Sequence, residues 1–180
     1  MNAPPPVLMV PGYGDSGPRH WQSLWEAADR TCRRVVQRDW QSPALDEWRE
    51  RLDRAIGESE RPPILVAHSL GCALVAHWAR DAARRVAGAL LVAPADADMV
   101  ALMVDAVASF APVPLEPLPF PSILVASSDD PYVSVERAET FARAWGSRFV
   151  MIGAAGHLNA DSGYGEWPEG RRLLDELRAR

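Results

Sequence analysis

The 180-residue chain lacks several features that mark particular classes of protein. It has two cysteines, Cys32 and Cys72, and neither has a His or Cys neighbour at the spacing of a metal site. We therefore expect two reduced thiols, no metal and no disulfide framework. No apolar run approaches the length that spans a membrane. The net charge of −5 lacks the basic surplus of nucleic-acid or anionic-membrane surfaces, so neither partner is expected.

The start of the sequence also lacks the pattern of a secretion signal. No basic residue precedes the first apolar segment, and that segment, Val7 to Val10, is too short for the core of a signal peptide. We therefore expect a cytoplasmic protein. The length suits one domain over residues 1–180 with a single sizeable core, and residues 1–6 are predicted to be a disordered tail. No internal repeat divides the chain.

What the sequence does contain is an alternation of short apolar runs and amphipathic segments. Apolar runs predict strands at residues 7–10, 35–36, 64–67, 86–93, 123–126 and 149–152. Helical spacing or length predicts helices at residues 20–28, 45–56, 70–82, 99–110, 135–145 and 168–177. Five prolines make residues 111–121 an extended connector. Short, almost wholly apolar strands alternating with helices indicate an α/β fold with a mostly parallel sheet covered on both faces.

Right-handed crossovers give the six strands the expected order 2-1-3-4-5-6. Strands one and three are then neighbours, and the winding of the chain reverses between them. Ligands of open α/β sheets bind at this reversal, beyond the carboxyl ends of the strands. The topology therefore places Gly12 and Tyr13 beside Ser69, and it brings the loops of Asp130 and His157 to the same edge.

Ser69 lies in Ala67-His68-Ser69-Leu70-Gly71, where an apolar strand stops and a helical pattern begins at once. A serine at such a sharp strand-to-helix turn is how an α/β hydrolase presents its nucleophile, in the motif Gly-x-Ser-x-Gly. Here Ala67 replaces the first glycine, which is a mild departure because the turn needs a small residue. The alternative is that the serine merely caps the helix.

A serine nucleophile needs a base and an acid that orients the base. His157 follows the last strand, in the chain order typical of this fold, and is the predicted base. Asp130 is favoured as the acid because an Asp-x-x-Val loop after the penultimate strand is the usual position. Asp129 could instead hydrogen-bond the turn. Asp96 and Asp98 are more distant alternatives.

The backbone N–H groups of Leu70 and Tyr13 are the candidates for binding the developing oxyanion. The remaining histidines have other predicted roles. His20 either lines the pocket or starts a helix, His68 packs or hydrogen-bonds locally, and His77 is structural.

Together these segments resemble the small serine hydrolases of the RBBP9/YdeN family within the α/β-hydrolase superfamily, over nearly the whole chain. The matching motifs are Val10-Pro11-Gly12-Tyr13-Gly14, His20-Trp21, Trp40 to Pro43, Asp46-Glu47-Trp48, Ala67-His68-Ser69-Leu70-Gly71, Ser128-Asp129-Asp130-Pro131 and the run from Gly156 to Gly170. The resemblance implies a compact α/β-hydrolase fold, a Ser/Asp/His triad and hydrolysis of carboxylic esters or related acyl compounds. It implies no cofactor and names no natural substrate.

Residues 94–121 hold only one predicted helix and the proline-rich connector, so no separate lid domain fits there. We therefore expect a shallow, open site for a small-molecule acyl substrate. The candidate wall residues are Gly12, His20, Trp21, Trp40, Tyr132 and Trp167. Two other functions stay open at this point. One is a catalytically weak hydrolase fold that binds a protein partner, and the other is an acyltransferase or a C–C lyase using the same residues.

Overall fold

A computed structural model describes residues 4–180 of the chain. The strands are β1 (Val7–Val10), β2 (Cys32–Arg34), β3 (Ile64–His68), β4 (Gly88–Val92), β5 (Ser122–Ala126) and β6 (Arg148–Met151). The α-helices are α1 (Trp21–Ala28), α2 (Leu45–Gly57), α3 (Leu70–Ala79), α4 (Ala97–Val100), α5 (Val135–Trp145) and α6 (Pro168–Arg178). A 3-10 helix spans Asp105–Phe110. None of the helices within residues 4–180 is long and apolar enough to cross a membrane.

The six strands form one sheet in the order β2-β1-β3-β4-β5-β6, and every neighbouring pair is parallel. This confirms the predicted fold class and strand order. All residues of β1, β3, β4 and β5 are buried, since helices cover both faces of the sheet. One face packs against α2, α3 and α5 through a core that includes Trp48, Phe110 and Trp145. The other packs against α1 and α6 around Trp21 and Trp25.

The second strand lies three residues before its predicted position. Residues Cys32 to Arg34 pair with Val7 to Met9, whereas Val35 and Val36 follow the paired segment. In this edge strand only Cys32 is buried, Arg33 is exposed, and the half-buried Arg34 forms ion pairs with Asp15 and Glu26. Apolar content therefore did not reveal it.

The single helix expected over residues 99–110 was also wrong, because the segment divides into α4, a turn and the 3-10 helix. Val100 and Val104 face a cleft, whereas Phe110 is fully buried against Trp48. The apolar spacing thus reflected two separate packing sites rather than one helical face. The connector after it, residues 111–121, contains bends but no helix or strand, and it packs on the domain, where the Trp145 indole N–H donates to the Pro114 carbonyl.

The predicted N-terminal tail is only partly covered by the structure, because residues 1–3 lie outside the described residues. The described part joins the fold. The carbonyl of Pro6 accepts a hydrogen bond from the Ile64 N–H at 2.8 Å, next to the start of β3.

Candidate active site

Ser69 occupies a strained turn between β3 and α3. Its φ of 56° and ψ of −125° are unusual for a residue with a side chain, and such strain concentrates at functional sites. The Ser69 N–H donates to the Val92 carbonyl, which fixes the backbone against β4. The side chain makes no capping hydrogen bond to α3, so the helix-cap interpretation of Ser69 is wrong.

Two glycines make this turn sterically possible. A Cβ on Gly71 would lie 2.2 Å from the Val10 carbonyl oxygen, and a Cβ on Gly12 would lie 2.8 Å from the Ser69 Cβ. Both contacts are shorter than side chains tolerate. Ala67, at the first glycine position of the motif, is fully buried at the end of a regular strand. The departure from the usual motif therefore leaves the turn intact.

His157 connects Ser69 to Asp130 through hydrogen bonds. Its Nε2 lies 2.8 Å from the Ser69 Oγ, and its Nδ1 lies 2.9 and 3.0 Å from the two carboxylate oxygens of Asp130. The Asp130 side chain is 0 % exposed and also accepts the Tyr132 N–H. A carboxylate only accepts hydrogen bonds, so it holds the proton on Nδ1 and leaves Nε2 free to accept from the serine hydroxyl.

The neighbouring Asp129 does not bind the His157 ring and instead accepts hydrogen bonds from a hydroxyl and two backbone amides. Its Oδ1 accepts from the Ser127 hydroxyl and from the N–H groups of Ala155 and Gly156. These bonds, the Ser127 bond foremost, lower the pKa of Asp129. Asp129 thus shapes the loop that carries His157, while Asp130 faces the imidazole ring.

The two distant acidic candidates are paired elsewhere. Asp96 and Asp98 both form ion pairs with Arg137. Asp98 also accepts the Val113 N–H. Neither lies against His157.

His68 has a role that the sequence did not reveal. It was expected to interact locally, but its Nε2–H donates to the His157 carbonyl at 2.8 Å, 89 residues along the chain. Burial and the neighbouring histidines His157 and His20 hold its pKa well below the usual value. A neutral His68 therefore positions the backbone of His157. His77 is structural as predicted, and it donates to the Phe110 carbonyl.

Two backbone amides beside Ser69 are available to a ligand. Gly12 brings the β1–α1 loop close to the Leu70 nitrogen, which a Cβ on that glycine would approach to 3.0 Å. Within the described chain, neither the Leu70 N–H nor the Tyr13 N–H has a hydrogen-bond acceptor. Both residues line the same cleft as Ser69. The Leu70 amide also stands at the positive end of the α3 dipole, where negative charge is favoured.

The cleft that contains Ser69 and His157 has a volume of about 460 Å³. Its apolar lining includes Ala95, Val100, Val104 and Val107, which the sequence analysis did not single out. Besides His68, Ser69 and His157, its polar lining includes Asp15, Arg19 and His20 from one segment of the chain and Asn159 and Asp161 from another. Of the predicted wall residues, Gly12, His20 and Tyr132 line this cleft. The Tyr132 ring lies 4.6 Å from the His157 ring.

The three tryptophans predicted as walls lie elsewhere. Trp21 is 0 % exposed and Trp167 is 5 % exposed, and the two rings pack together at 5.2 Å in the core. Trp40 packs edge-on against Trp48. The Trp21 indole N–H donates to the Leu158 carbonyl, so this residue supports the His157 loop from behind. Burial of large aromatic surface is favourable, and these three side chains pack against other aromatic rings instead of lining the cleft.

No cluster of three or more His, Cys, Asp or Glu side chains that could hold a metal ion occurs within residues 4–180. Both cysteines are buried as free thiols. Burial foremost raises the pKa of Cys32, to about 11.

The comparisons with known proteins show that this fold is that of a serine hydrolase. Residues 7–176 match the family model described as "Serine hydrolase", and the chain belongs to that family. A crystal structure named as a YdeN-like hydrolase, from Pectobacterium atrosepticum, is 35% identical with a TM-score of 0.87, over 97% of this chain and 90% of that one.

Two further structures share the fold at lower identity. The ydeN gene product of B. subtilis is 18% identical with a TM-score of 0.77, over 98% of this chain and 100% of that one. A thermophilic esterase from Thermogutta terrifontis is 19% identical with a TM-score of 0.67, over 99% and 92%. No curated protein matches the chain.

Proposed function

We propose that this hydrolase cleaves carboxylic esters or related acyl compounds through a Ser69-His157-Asp130 triad and an acyl-enzyme intermediate. One observation carries the proposal. An unbroken series of hydrogen bonds runs from a buried carboxylate through an imidazole to a serine hydroxyl, with distances of 2.9 and 2.8 Å, at the wall of an open cleft. This is the arrangement that converts a weak hydroxyl into a nucleophile.

The proposed chemistry follows from the direction of each hydrogen bond. Ser69 Oγ attacks the acyl carbon while its proton passes to His157 Nε2, and the N–H groups of Leu70 and Tyr13 hold the oxyanion. His157 then protonates the leaving alcohol oxygen, which breaks the original ester bond. Water attacks the resulting serine ester and gives its proton to the same nitrogen. The carboxylic acid leaves, and Ser69 recovers its proton. Throughout, Asp130 keeps the ring in one tautomer and stabilises its positive charge.

The apolar lining supports a limited size of acyl group. Val100, Val104 and Val107 form a short apolar wall beside Ser69, and the segment that carries them is α4 with the following 3-10 helix rather than a separate lid. A short acyl chain can lie against this wall, whereas a long one would extend into solvent. We therefore expect the rate to level off at short chain lengths.

The test is labelling with a fluorophosphonate, which phosphonylates an activated serine. Wild-type protein should be labelled and Ser69→Ala should not. A graded series of esters, thioesters and amides should then show turnover highest for short acyl esters and absent in Ser69→Ala. Unlabelled wild type, or equal labelling of Ser69→Ala, would reject the triad. Product analysis with an added alcohol separates hydrolysis from acyl transfer, and a rate that keeps rising to long-chain esters would reject the small acyl site.

We further propose the cytoplasm as the compartment. The two cysteines support this proposal, because both are free and buried and form no disulfide. Free thiols persist most readily where the surroundings are reducing.

A further inference from the structure

The β1–α1 loop carries the backbone amide of Tyr13, which the proposed mechanism uses to hold the oxyanion. The Asp15 N–H donates to the Gly12 carbonyl at 3.2 Å, so Tyr13 and Gly14 are the central residues of a β-turn. Gly12 packs one end of this turn against Ser69, because a Cβ there would lie 2.8 Å from the Ser69 Cβ. The other end of the turn is Asp15.

This turn has little within itself that fixes its shape. Gly14 and Asp15 have left-handed φ values of 77° and 65°, which are uncommon for a residue with a side chain such as the aspartate. The Tyr13 side chain is 44 % exposed, so it contributes little packing. The Gly14 N–H donates to the Trp40 carbonyl at 2.9 Å. The path of the turn therefore depends on contacts from outside it.

Arg34, on the edge strand β2, supplies several of these contacts. Its Nη1 donates to Asp15 Oδ1 at 2.7 Å and to the Ser16 carbonyl at 2.9 Å. Its Nη2 donates to the Ser23 hydroxyl at 2.6 Å, and its Nε donates to Glu26 Oε2 at 3.1 Å. One guanidinium thus joins the end of the turn to two side chains of α1. The Arg34 side chain is only 15 % exposed, so water competes little for these bonds.

The residue after the turn is also tied to the strand that leads to the nucleophile. Ser16 Oγ donates to Gln22 Oε1 at 2.6 Å, and Gln22 Nε2 donates to the Val66 carbonyl in β3 at 2.9 Å. Ser16 is 4 % exposed and Gln22 is 0 % exposed. The contacts of Arg34 therefore belong to one continuous set of hydrogen bonds that runs from β2 through the loop to β3.

We infer that Arg34 is a positioning residue, which acts through Asp15 to hold the Tyr13 amide where it can bind the oxyanion. This rests on the proposed function. An oxyanion donor is effective only when it lies about 2.7–3.1 Å from the oxygen that develops charge. A loop released at Asp15 would still contain the Tyr13 amide, but the amide would no longer be held in that position.

The test measures transition-state stabilisation in Arg34→Gln, which removes the guanidinium. Loss of an oxyanion donor costs about 10²–10³-fold in kcat, so a displaced donor should cost about tenfold to a hundredfold. Acylation and deacylation both pass through an oxyanion. We therefore expect kcat for p-nitrophenyl acetate to fall while KM changes by less than about threefold. The endpoint of fluorophosphonate labelling counts the active molecules, so that unfolded protein does not enter kcat.

A boronic acid supplies a readout that a merely structural role would not move. Butylboronic acid forms a bond from boron to Ser69 Oγ, and the hydroxyl proton passes to His157 Nε2. The resulting tetrahedral boronate is negatively charged and resembles the transition state. Its inhibition constant should rise in Arg34→Gln by about the factor that kcat loses. A variant that is only less stable would keep the wild-type constant in its folded molecules.

Two further variants complete the test. Arg33→Gln is the matched control, since this neighbour on β2 donates to the Ala55 carbonyl and pairs with Glu58 instead of the loop. We expect wild-type kcat and inhibition constant in Arg33→Gln. Asp15→Gly removes the same contact from its other side, and glycine accepts the left-handed φ without strain. We expect Asp15→Gly to show the parallel losses of Arg34→Gln.

The outcomes are distinguishable from failure of the proposed function. Wild-type kcat in folded Arg34→Gln overturns the inference, and so does a fall in kcat without a rise in the inhibition constant. An equal loss in Arg33→Gln also overturns it. Wild-type values in Asp15→Gly do the same, which decides the matter if Arg34→Gln fails to fold. If wild type resists fluorophosphonate and turns over no ester, the proposed hydrolysis is wrong and this inference falls with it.

Discussion

Replacing Asp130 with asparagine should abolish most of the activity for a reason that the hydrogen bonds specify. Asp130 Oδ1 accepts the Tyr132 N–H at 2.9 Å, and Oδ2 lies 2.9 Å from His157 Nδ1. In Asp130→Asn the amide oxygen must stay opposite the Tyr132 N–H, because two donors repel. The NH2 group then replaces Oδ2, which is the carboxylate oxygen nearer to Nδ1 (2.9 Å against 3.0 Å for Oδ1), and at that position it can only donate. The imidazole proton moves to Nε2, which can no longer accept from Ser69.

The magnitude follows from the loss of the base. A triad held in the wrong tautomer loses about 10⁴-fold in kcat, or about 5.4 kcal/mol of transition-state stabilisation. Because the Asp130 side chain is fully shielded from solvent, water cannot replace the missing acceptor. We expect kcat for p-nitrophenyl acetate to fall by roughly this factor, and the rate of fluorophosphonate labelling to fall in parallel.

Asp129→Asn is the matched control, one residue away. Its carboxylate is exposed and accepts the Ala155 and Gly156 N–H groups, which an amide oxygen can also do. We expect kcat to fall by less than about tenfold, since neutral acceptors bind N–H groups more weakly than charged ones. Both variants should keep the circular dichroism spectrum of the wild type. Near-normal kcat in Asp130→Asn, with a large loss in Asp129→Asn, would refute the assignment of the acid.

Two further predictions concern folding stability. Gly71→Ala should lower the free energy of unfolding by at least about 1–3 kcal/mol or prevent folding, because the new Cβ would lie 2.2 Å from the Val10 carbonyl oxygen. Gly17→Ala is the control, since a Cβ there meets nothing within 4 Å. Equal urea unfolding midpoints for the two variants would contradict the packing argument. Asp29→Asn should cost about 1–2 kcal/mol at neutral pH through lost bonds to Thr31 and Arg178. Burial alone would raise the pKa of Asp29, but these bonds hold it below its usual 3.8. The loss of stability in Asp29→Asn should therefore be constant above pH 5 and shrink as the pH falls below 4. A loss that does not change with pH in urea titrations would refute this prediction.

The sequence was sufficient to predict the sheet and the meeting of the site residues. Buried parallel strands leave apolar runs that are easy to recognise, and the crossover rule then orders them. Ser69, Asp130 and His157 each follow such a run, so the strand order alone brought their loops to one edge. The catalytic role of these residues remains a prediction for the experiments above.

What the sequence did not reveal depends on three-dimensional packing. The edge strand β2 carries Arg33 and Arg34, so it has no apolar signature. Tryptophan is equally suited to a cleft wall and to a core, and only the packing of Trp21 against Trp25 and Trp167 decides between them. The apolar wall of the cleft comes from Val100 and Val104, whose spacing also fits a helix that does not form.

The position of His157 is determined both by its own loop and by residues outside it. Within the loop, the Ser162 hydroxyl accepts the His157 N–H, and Asn159 Oδ1 accepts from Ser162. Two strand ends supply further constraints, each with an adjacent pair of residues. After β5, Asp130 orients the His157 ring while Asp129 binds the Ala155 and Gly156 amides. At the end of β3, Ser69 meets the ring while His68 binds the His157 carbonyl. The same two turns that present the nucleophile and the acid therefore also hold the backbone of the base, which explains why polar residues stand side by side at both positions.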